Sequence, residues 1–575
     1  MILFSKYFFT ENMAVFYFCS LLFATFHCLC PGVYPLASSP VTLNTSLGPV
    51  TGLTKRVAGV YVDIFYGIPF ATPPVGELRF KPPVPAQPWR DPRDVTQRPN
   101  SCWQVIDTAF NRFPGVEMWN PNTPMSEDCL YLNVWRPAGI MSSAKPIMVW
   151  IFGGSFLTGS STLDVYDPSQ LAARNDVIVV TIAYRLGALG FLYAGTSDAP
   201  GNAGLLDQAM ALKWVKDNAV TLGGSPDAIT LFGESAGAIS IGLHMVSPVS
   251  KHLFTYAIME SGSLFLTGVF RDQATARSGT RYLAKTLSCP GTEFRDIVAC
   301  LRVKDPEAIV NQQLGFFGPV VDGTFLQDDP SELVNRGEIK PTSILTGVNA
   351  NEGSFFAAYE FKNKFTLDGM GHLTERDYDA FLRSRHPDDA SAVSELNRTY
   401  GKDPTISYAG RVEAIIGDDM FKCPAVKFAQ RYAPLGENVY LYSFEHRLST
   451  IPWPQWMGVP HAYEIEVVFG IPFMPNTSYT DDERELSKRV MTMWTNFAKY
   501  GNPNGIGSDQ WPRYTTRDQK YVIIDSGELR VASHLRQHEC GALASSGQML
   551  TCLYLVLLWP TYRVFMALMQ GSSLR

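Results

Sequence analysis

The segment Phe232-Gly233-Glu234-Ser235-Ala236-Gly237 sets a serine between two glycines, after the apolar run Ala228 to Phe232 and before the small-residue stretch Ala236 to Leu243. Such a pattern predicts a strand, a sharp turn and a helix, with the serine hydroxyl pushed out over a sheet by a strained turn. That is the presentation a nucleophile needs for acyl transfer. The bare pattern G-x-S-x-G arises by chance about 0.2 to 0.3 times in a chain of this length and composition, so its meaning depends on partners elsewhere. Ester hydrolysis through a serine needs a base, a group that orients the base, and donors for the developing oxyanion. His461 follows Trp456-Met457-Gly458 in a loop ahead of an apolar run. An imidazole there suits a general base working near neutral pH, and a structural histidine fits the same local pattern. The strand-like run Thr342 to Val348 leads into Asn349-Ala350-Asn351-Glu352. Glu352 reads as the orienting acid or as a solvated loop carboxylate, and the chain order Ser235, Glu352, His461 favours the first.

These residues are far apart in the chain and need a scaffold that converges them. Lys145 to Phe152 and Asp176 to Tyr184 are apolar, β-branched runs of the kind buried parallel strands show, Leu205 to Asn218 reads as an amphipathic helix, and Ala228 to Phe232 is the strand feeding the serine. Strands alternating with helices predict an α/β fold, a large, mostly parallel central sheet flanked by helices. Its ligand site should lie at the carboxyl ends of the strands, where Gly154, Ser235 and Glu352 fall. Residues 41–70 read as hairpin strands with turns at Gly48-Pro49 and Gly59, and Pro73 to Pro99 as extended surface chain. Arg271 to Asp403 is richer in charge and mostly helical, an insertion or lid beside the sheet. Tyr440 to Phe444 reads as a strand, Ser487 to Tyr500 as a long helix and Tyr521 to Asp525 as a short terminal strand.

Trp119, in Glu117-Met118-Trp119-Asn120-Pro121-Asn122, bears on the substrate. A quaternary ammonium donates no hydrogen bonds, and an indole face attracts it through its quadrupole, by about 2 kcal/mol once desolvated. A packing role is the alternative for any tryptophan. The serine motif occurs together with Ser126-Glu127-Asp128-Cys129-Leu130-Tyr131-Leu132-Asn133, the pair Gly153-Gly154, Asn351-Glu352-Gly353 and Gly458-Val459-Pro460-His461. With these motifs the chain, over residues 40–540, resembles the type-B carboxylesterases of the α/β-hydrolase fold. Met118 to Asn122 and Trp453-Pro454-Gln455-Trp456-Met457-Gly458 narrow the resemblance to the cholinesterase branch. It implies a serine hydrolase that cleaves acetylcholine and longer acylcholines through an acyl-enzyme, with no metal or cofactor. A general carboxylesterase for neutral esters and a non-catalytic adhesion ectodomain are the other readings.

Residue by residue, the resemblance implies an oxyanion hole from the N–H groups of Gly154, Ser155 and Ala236, with Ser155 where a third glycine is usual. Its hydroxymethyl would crowd the reacting carbon. Ser261 supports the triad acid, and Glu464 lies near His461. Trp119, Glu234, Phe355, Tyr166, Trp453 and Tyr463 surround the choline pocket, and Asp107 and Tyr359 mark the gorge mouth. Gly268, Gln313 and Gly315 stand where acyl-pocket aromatics are common, with Phe316 and Phe317 able to refill the space after a register shift. Val105 and Leu157 replace rim tyrosines.

At 575 residues the chain exceeds ordinary single-domain length, yet no linker, repeat or charge block divides it. A net charge of -6 argues against a nucleic-acid partner and permits attraction of a cationic substrate. Residues 1–37, with an apolar run from Met13 to Leu29, read as a secretory leader, residues 38–540 as the catalytic domain and residues 541–575 as a tail. The tail's small residues before apolar runs suggest a GPI-anchor signal, interrupted by Pro560 and Arg563, which places the protein outside the cell, secreted or held at the surface. Six cysteines in the body allow fifteen pairings of three bridges in an oxidising compartment. The resemblance selects Cys102 with Cys129, Cys289 with Cys300, and Cys423 with Cys540, and is compatible with a homodimer. Asn44, Asn397 and Asn476 head glycosylation triplets.

Overall fold

Long apolar runs alternating with helical stretches give, in the computed structural model, one large twisted sheet with helices on both faces. The structure describes residues 38–546, except 140–142, 314–316, 365–366, 368–371 and 508. The leader and most of the tail lie outside the described residues. Gly541 to Ser545, the small residues that open the tail, complete a helix, Gln537–Ser545.

The sheet opens with β1 (Ser39–Thr45), β2 (Gly48–Val57) and β3 (Val60–Pro69), followed by β4 (Tyr131–Pro137), β5 (Lys145–Ile151) and β6 (Ile178–Ile182). Next come β7 (Gly224–Glu234), β8 (Tyr256–Glu260), β9 (Ile344–Asn349), β10 (Val439–Phe444), β11 (Lys520–Ile524) and β12 (Arg530–Ser533). Their spatial order is β1-β2-β3-β4-β6-β5-β7-β8-β9-β10-β11-β12. From β6 through β11 every pairing is parallel, while β2 to β6 and β11 to β12 pair antiparallel. The central strands are buried on both faces over most of their length, in keeping with their predominantly apolar, β-branched content. The segment read as a terminal strand, Tyr521 to Asp525, is not terminal, because β12 pairs onto it.

Crossover helices hold the faces. Here α1 (Ala203–Leu222) packs on β7, α2 (Ala236–Val246) lies over β7 and β8, and α3 (Gly353–Glu360) packs along α4 (Tyr408–Gly417). At Gly237, in the first turn of α2, an added Cβ would stand 1.9 Å from the Ile151 carbonyl oxygen, so only glycine lets this helix start so close to the sheet. All three expected disulfides are formed: Cys102–Cys129, Cys289–Cys300 and Cys423–Cys540. Among the described residues, no helix is long and apolar enough to cross a membrane.

Candidate active site

Adjacent strand ends converge the chemistry. β7 delivers Ser235, β8 delivers Ser261 and β9 leads into Glu352, and these three strands are consecutive neighbours. Ser235 takes φ 55° and ψ -122° at the sharp turn between β7 and α2. A non-glycine residue held there is strained by about 1 to 3 kcal/mol, which the surrounding structure must overcome. Its N–H donates to the Glu260 carbonyl at 2.9 Å and its carbonyl accepts from Ile239 at 2.9 Å, so the turn is pinned on both sides.

Glu352 is fully buried. One of its oxygens accepts from the Ser261 hydroxyl at 2.6 Å and from the Asn349 N–H at 2.6 Å, and the other lies 2.6 Å from His461 Nδ1. The opposite ring nitrogen, Nε2, sits 2.9 Å from a Glu234 carboxylate oxygen, poorly aligned for a hydrogen bond. Phe421 packs against the imidazole with ring centroids 4.3 Å apart, and Phe356 lies at 5.3 Å. Burial alone would lower the imidazole pKa, but the carboxylates of Glu234 and Glu352 outweigh it and hold His461 well above the usual histidine value.

Glu234, Glu260, Glu352 and Glu464 are all buried. Burial raises Glu234, and it pushes Glu260 up to about 8 despite the bond its carboxylate accepts from Trp494 Nε1 at 2.8 Å. Glu464 is raised well above the carboxylate range by burial and then by Glu234, Glu260 and Glu352. It accepts from Asn349 Nδ2 at 2.5 Å, so it reaches the triad through the turn that carries the acid rather than by touching His461.

Beyond Ser235 lies a cavity of about 120 Å³ lined by Gly153, Gly154, Ser155, Trp119, Glu234, Phe355 and His461, among others. Gly154 has φ 105°, and an added Cβ would stand 2.4 Å from the Thr158 carbonyl oxygen, so a side chain there is excluded. Ser155 also has a positive φ, 57°, which favours the glycine it replaces. Gly154 and Ser155 line the main cavity with Ser235, and Ser155 also lines the side cavity with Ala236, the first residue of α2.

The Trp119 indole stands half-buried in the wall, edge-on to Tyr463 at 6.2 Å and tilted against Tyr166 at 6.5 Å. Tyr166 lines the cavity with it, whereas Trp453 and Tyr463 form a backing layer and are not among the lining residues. Trp453 packs on Phe355 at 5.7 Å, and the Tyr463 hydroxyl donates to Met118 sulfur at 3.5 Å. Higher up, the Tyr359 hydroxyl donates to Asp107 at 2.6 Å, and Asn120 clasps the Asp107 backbone from beside Trp119. Val105 and Leu157 line the cavity at the expected rim positions.

The acyl side departs from the sequence reading. Gly268 is exposed and lines neither cavity, whereas Gln313 is buried in the wall of the main cavity, with its side-chain oxygen accepting from Ala188 N–H at 2.7 Å. Phe317 is buried in the hydrophobic core, while Gly315 and Phe316 lie outside the described residues. A small side cavity of about 30 Å³ next to Ser235 is walled instead by Leu266, Val269, Phe356, Met420 and Phe421. Sequence reasoning missed all five of these walls, Phe356 by one residue from the Phe355 it singled out. Leu266 and Val269 flank the glycine that was singled out, and Met420 and Phe421 precede Cys423 with no local signal. The glycosylation candidates Asn44, Asn397 and Asn476 are all exposed.

Comparisons agree with this geometry. A cholinesterase from Mus musculus is 44% identical over 516 residues, covering 87% of this chain and 85% of the relative. An acetylcholinesterase from Bungarus fasciatus is 40% identical over 529 residues, covering 89% and 87%. Residues 39–543 match the carboxylesterase family. With a serine turn, a buried acid and an imidazole meeting at the strand ends of its sheet, this chain belongs to the carboxylesterase family.

Proposed function

We propose that the chain hydrolyses choline esters, with Ser235 as nucleophile, His461 as base and Glu352 as the acid that orients it. The Ser235 hydroxyl attacks the ester carbonyl and gives its proton to His461 Nε2, which must turn from Glu234 toward the neighbouring serine. The N–H groups of Gly154, Ser155 and Ala236 receive the oxyanion. His461 then protonates the departing choline, leaving an acyl-serine, and water activated by the same imidazole releases the acid. Glu352 holds Nδ1 protonated throughout.

One observation carries the choline reading: an indole, Trp119, and a buried carboxylate, Glu234, share a cavity wall with Ser235. The indole face suits the trimethylammonium and the carboxylate offsets its charge. Asp107 at the upper wall would draw cations inward. The apolar side cavity beside Ser235, walled by Leu266, Val269, Phe356, Met420 and Phe421, would receive the acyl group. The named activities of the two relatives point the same way.

The test compares acetylthiocholine with an uncharged thioester isostere. Ser235→Ala should abolish turnover of both. Trp119→Ala should weaken the charged substrate about ten- to thirtyfold more than the neutral one, the equivalent of about 2 kcal/mol. Equal losses would make Trp119 a packing residue and the enzyme a carboxylesterase for neutral esters. Secretion, glycosylation at the exposed Asn44, Asn397 and Asn476, a homodimer and a lipid-anchored C-terminus complete the proposal. Release of activity from cells by a phosphatidylinositol-specific phospholipase tests the anchor.

A further inference from the structure

Residues Asp418–Lys422 form a single π-helical turn between α4 and a helix at Cys423–Tyr432. Such turns are rare, appear mostly inside α-helices and concentrate at functional sites. The extra residue breaks the ordinary helical spacing, so successive side chains enter different surroundings. Met420 and Phe421 wall the side cavity, with the Phe421 ring against His461. Lys422 turns the other way and is buried. Its ammonium donates to the Ala350 carbonyl at 2.7 Å, lies 3.7 Å from Asp418 and acts electrostatically on buried Glu413.

Ala350 sits in the turn that carries Glu352. The rest of that turn is fixed by backbone and amide contacts: Ala350 N–H to the Phe444 carbonyl at 2.9 Å, Asn351 N–H to the Val459 carbonyl at 3.0 Å, and the Asn351 side chain to Val459 and Glu413. Asp418 has partners of its own, the Arg536 guanidinium and the Tyr400 hydroxyl, so it does not need Lys422 for neutrality. An ammonium taken out of water is costly, and an apolar residue at 422 would avoid that cost. What the lysine adds is a fixed link between two pieces of chain.

We propose that Lys422 is a positioning residue, tying the turn that bears Glu352 to the π-turn that bears Phe421, so that the acid on one edge of His461 and the ring on its face are set together. The proposal rests on the triad reading given above. Through this link Lys422 acts on the reaction without touching substrate.

The test uses the full chain with active sites counted by a phosphonylating titrant, in Lys422→Met, Lys422→Arg and the pair Lys422→Met with Glu413→Gln. In Lys422→Met, kcat per titrated site should fall about ten- to hundredfold, the range for misplacements approaching 1 Å, with KM nearly unchanged. The acid limb of its pH profile should move to lower pH, because a looser Glu352 raises the imidazole less. Lys422→Arg should restore most of the rate. The double variant also removes the buried Glu413 charge that Lys422 offsets, so Tm should recover while kcat does not. If Lys422→Met fails to fold, the double variant carries the same kcat measurement. Normal kcat per titrated site, or recovery of kcat together with Tm, would overturn the proposal. Titration of Ser235→Ala separates the two readings, since labelling and turnover there would sink the triad itself.

Discussion

His461 stands between two carboxylates, and only one of them is needed to orient it. Glu352 holds Nδ1, while Glu234 faces Nε2, the nitrogen that would accept the serine proton in the proposed mechanism. A carboxylate at that nitrogen favours the imidazolium, and the imidazolium cannot act as base. Glu234→Gln should therefore lower the histidine pKa and move the acid limb of kcat/KM to lower pH, by about one unit or more, read from a pH–rate profile. The same change removes charge from the cavity wall, so KM for acetylthiocholine should rise while that of a neutral ester stays put. Ser155 invites a second measurement at this scale. Its left-handed backbone costs about 1 kcal/mol relative to glycine, and its hydroxymethyl lies at the junction of both cavities. Ser155→Gly should raise the rate of carbamoylation and phosphorylation by bulky inhibitors more than the rate of acetyl ester hydrolysis. Equal acceleration of both would refute a steric role. The candidates that meet at the strand ends were legible in the chain: Ser235 by its glycines, Glu352 by its place after a strand, His461 by chain order. Phe421 was not, because a π-turn has no composition of its own and nothing in Met420-Phe421-Lys422 announces that its side chains part company.

The helices α3 and α4 meet backbone to backbone. A Cβ on Gly353 would stand 2.0 Å from the Glu413 carbonyl oxygen and 2.6 Å from the Gly417 nitrogen, one residue after Glu352. Gly353→Ala must push α3 away from α4 and carry the acid with it. Stability should fall by about 1 to 3 kcal/mol, as for overpacking elsewhere, and kcat should fall further than a change on the far side of α3 of equal stability cost. Denaturant midpoints and kcat on the same samples would show whether the two losses part in this way. Buried strands were readable as elements, since β5, β6 and β9 are β-branched runs closed on both faces. β12 was missed for a physical reason: its residues are exposed or half-exposed, so Arg530–Ser533 shows neither an apolar run nor a clean alternation. Gly541 to Ser545, on which the sequence reading made no secondary-structure statement, extend a helix that Cys540 anchors.

Across the whole molecule, the bridges differ most in what they enclose. Cys423–Cys540 spans 117 residues and Cys289–Cys300 spans 11. On the chain-entropy account the first restricts the unfolded chain by about 5 kcal/mol and the second by about 3 kcal/mol. Paired Cys→Ser changes at 423 and 540 should lower the denaturant midpoint more than those at 289 and 300; the reverse order would mean that local packing, not loop closure, dominates. The parallel run of β7, β8 and β9 has a different kind of outcome. Three neighbouring strand ends deliver Ser235, Ser261 and Glu352, whereas Leu266 and Val269 hang on the long excursion between β8 and β9. Chemistry is thus inherited with the sheet and selectivity with its connections, which leaves an evolving lineage free to retune the acyl group at 266 and 269 without re-solving hydrolysis. Phe421 lacks that freedom. Variation there would be read twice, once by the substrate and once by the imidazole it packs on, and a population under selection for new esters should explore that position last.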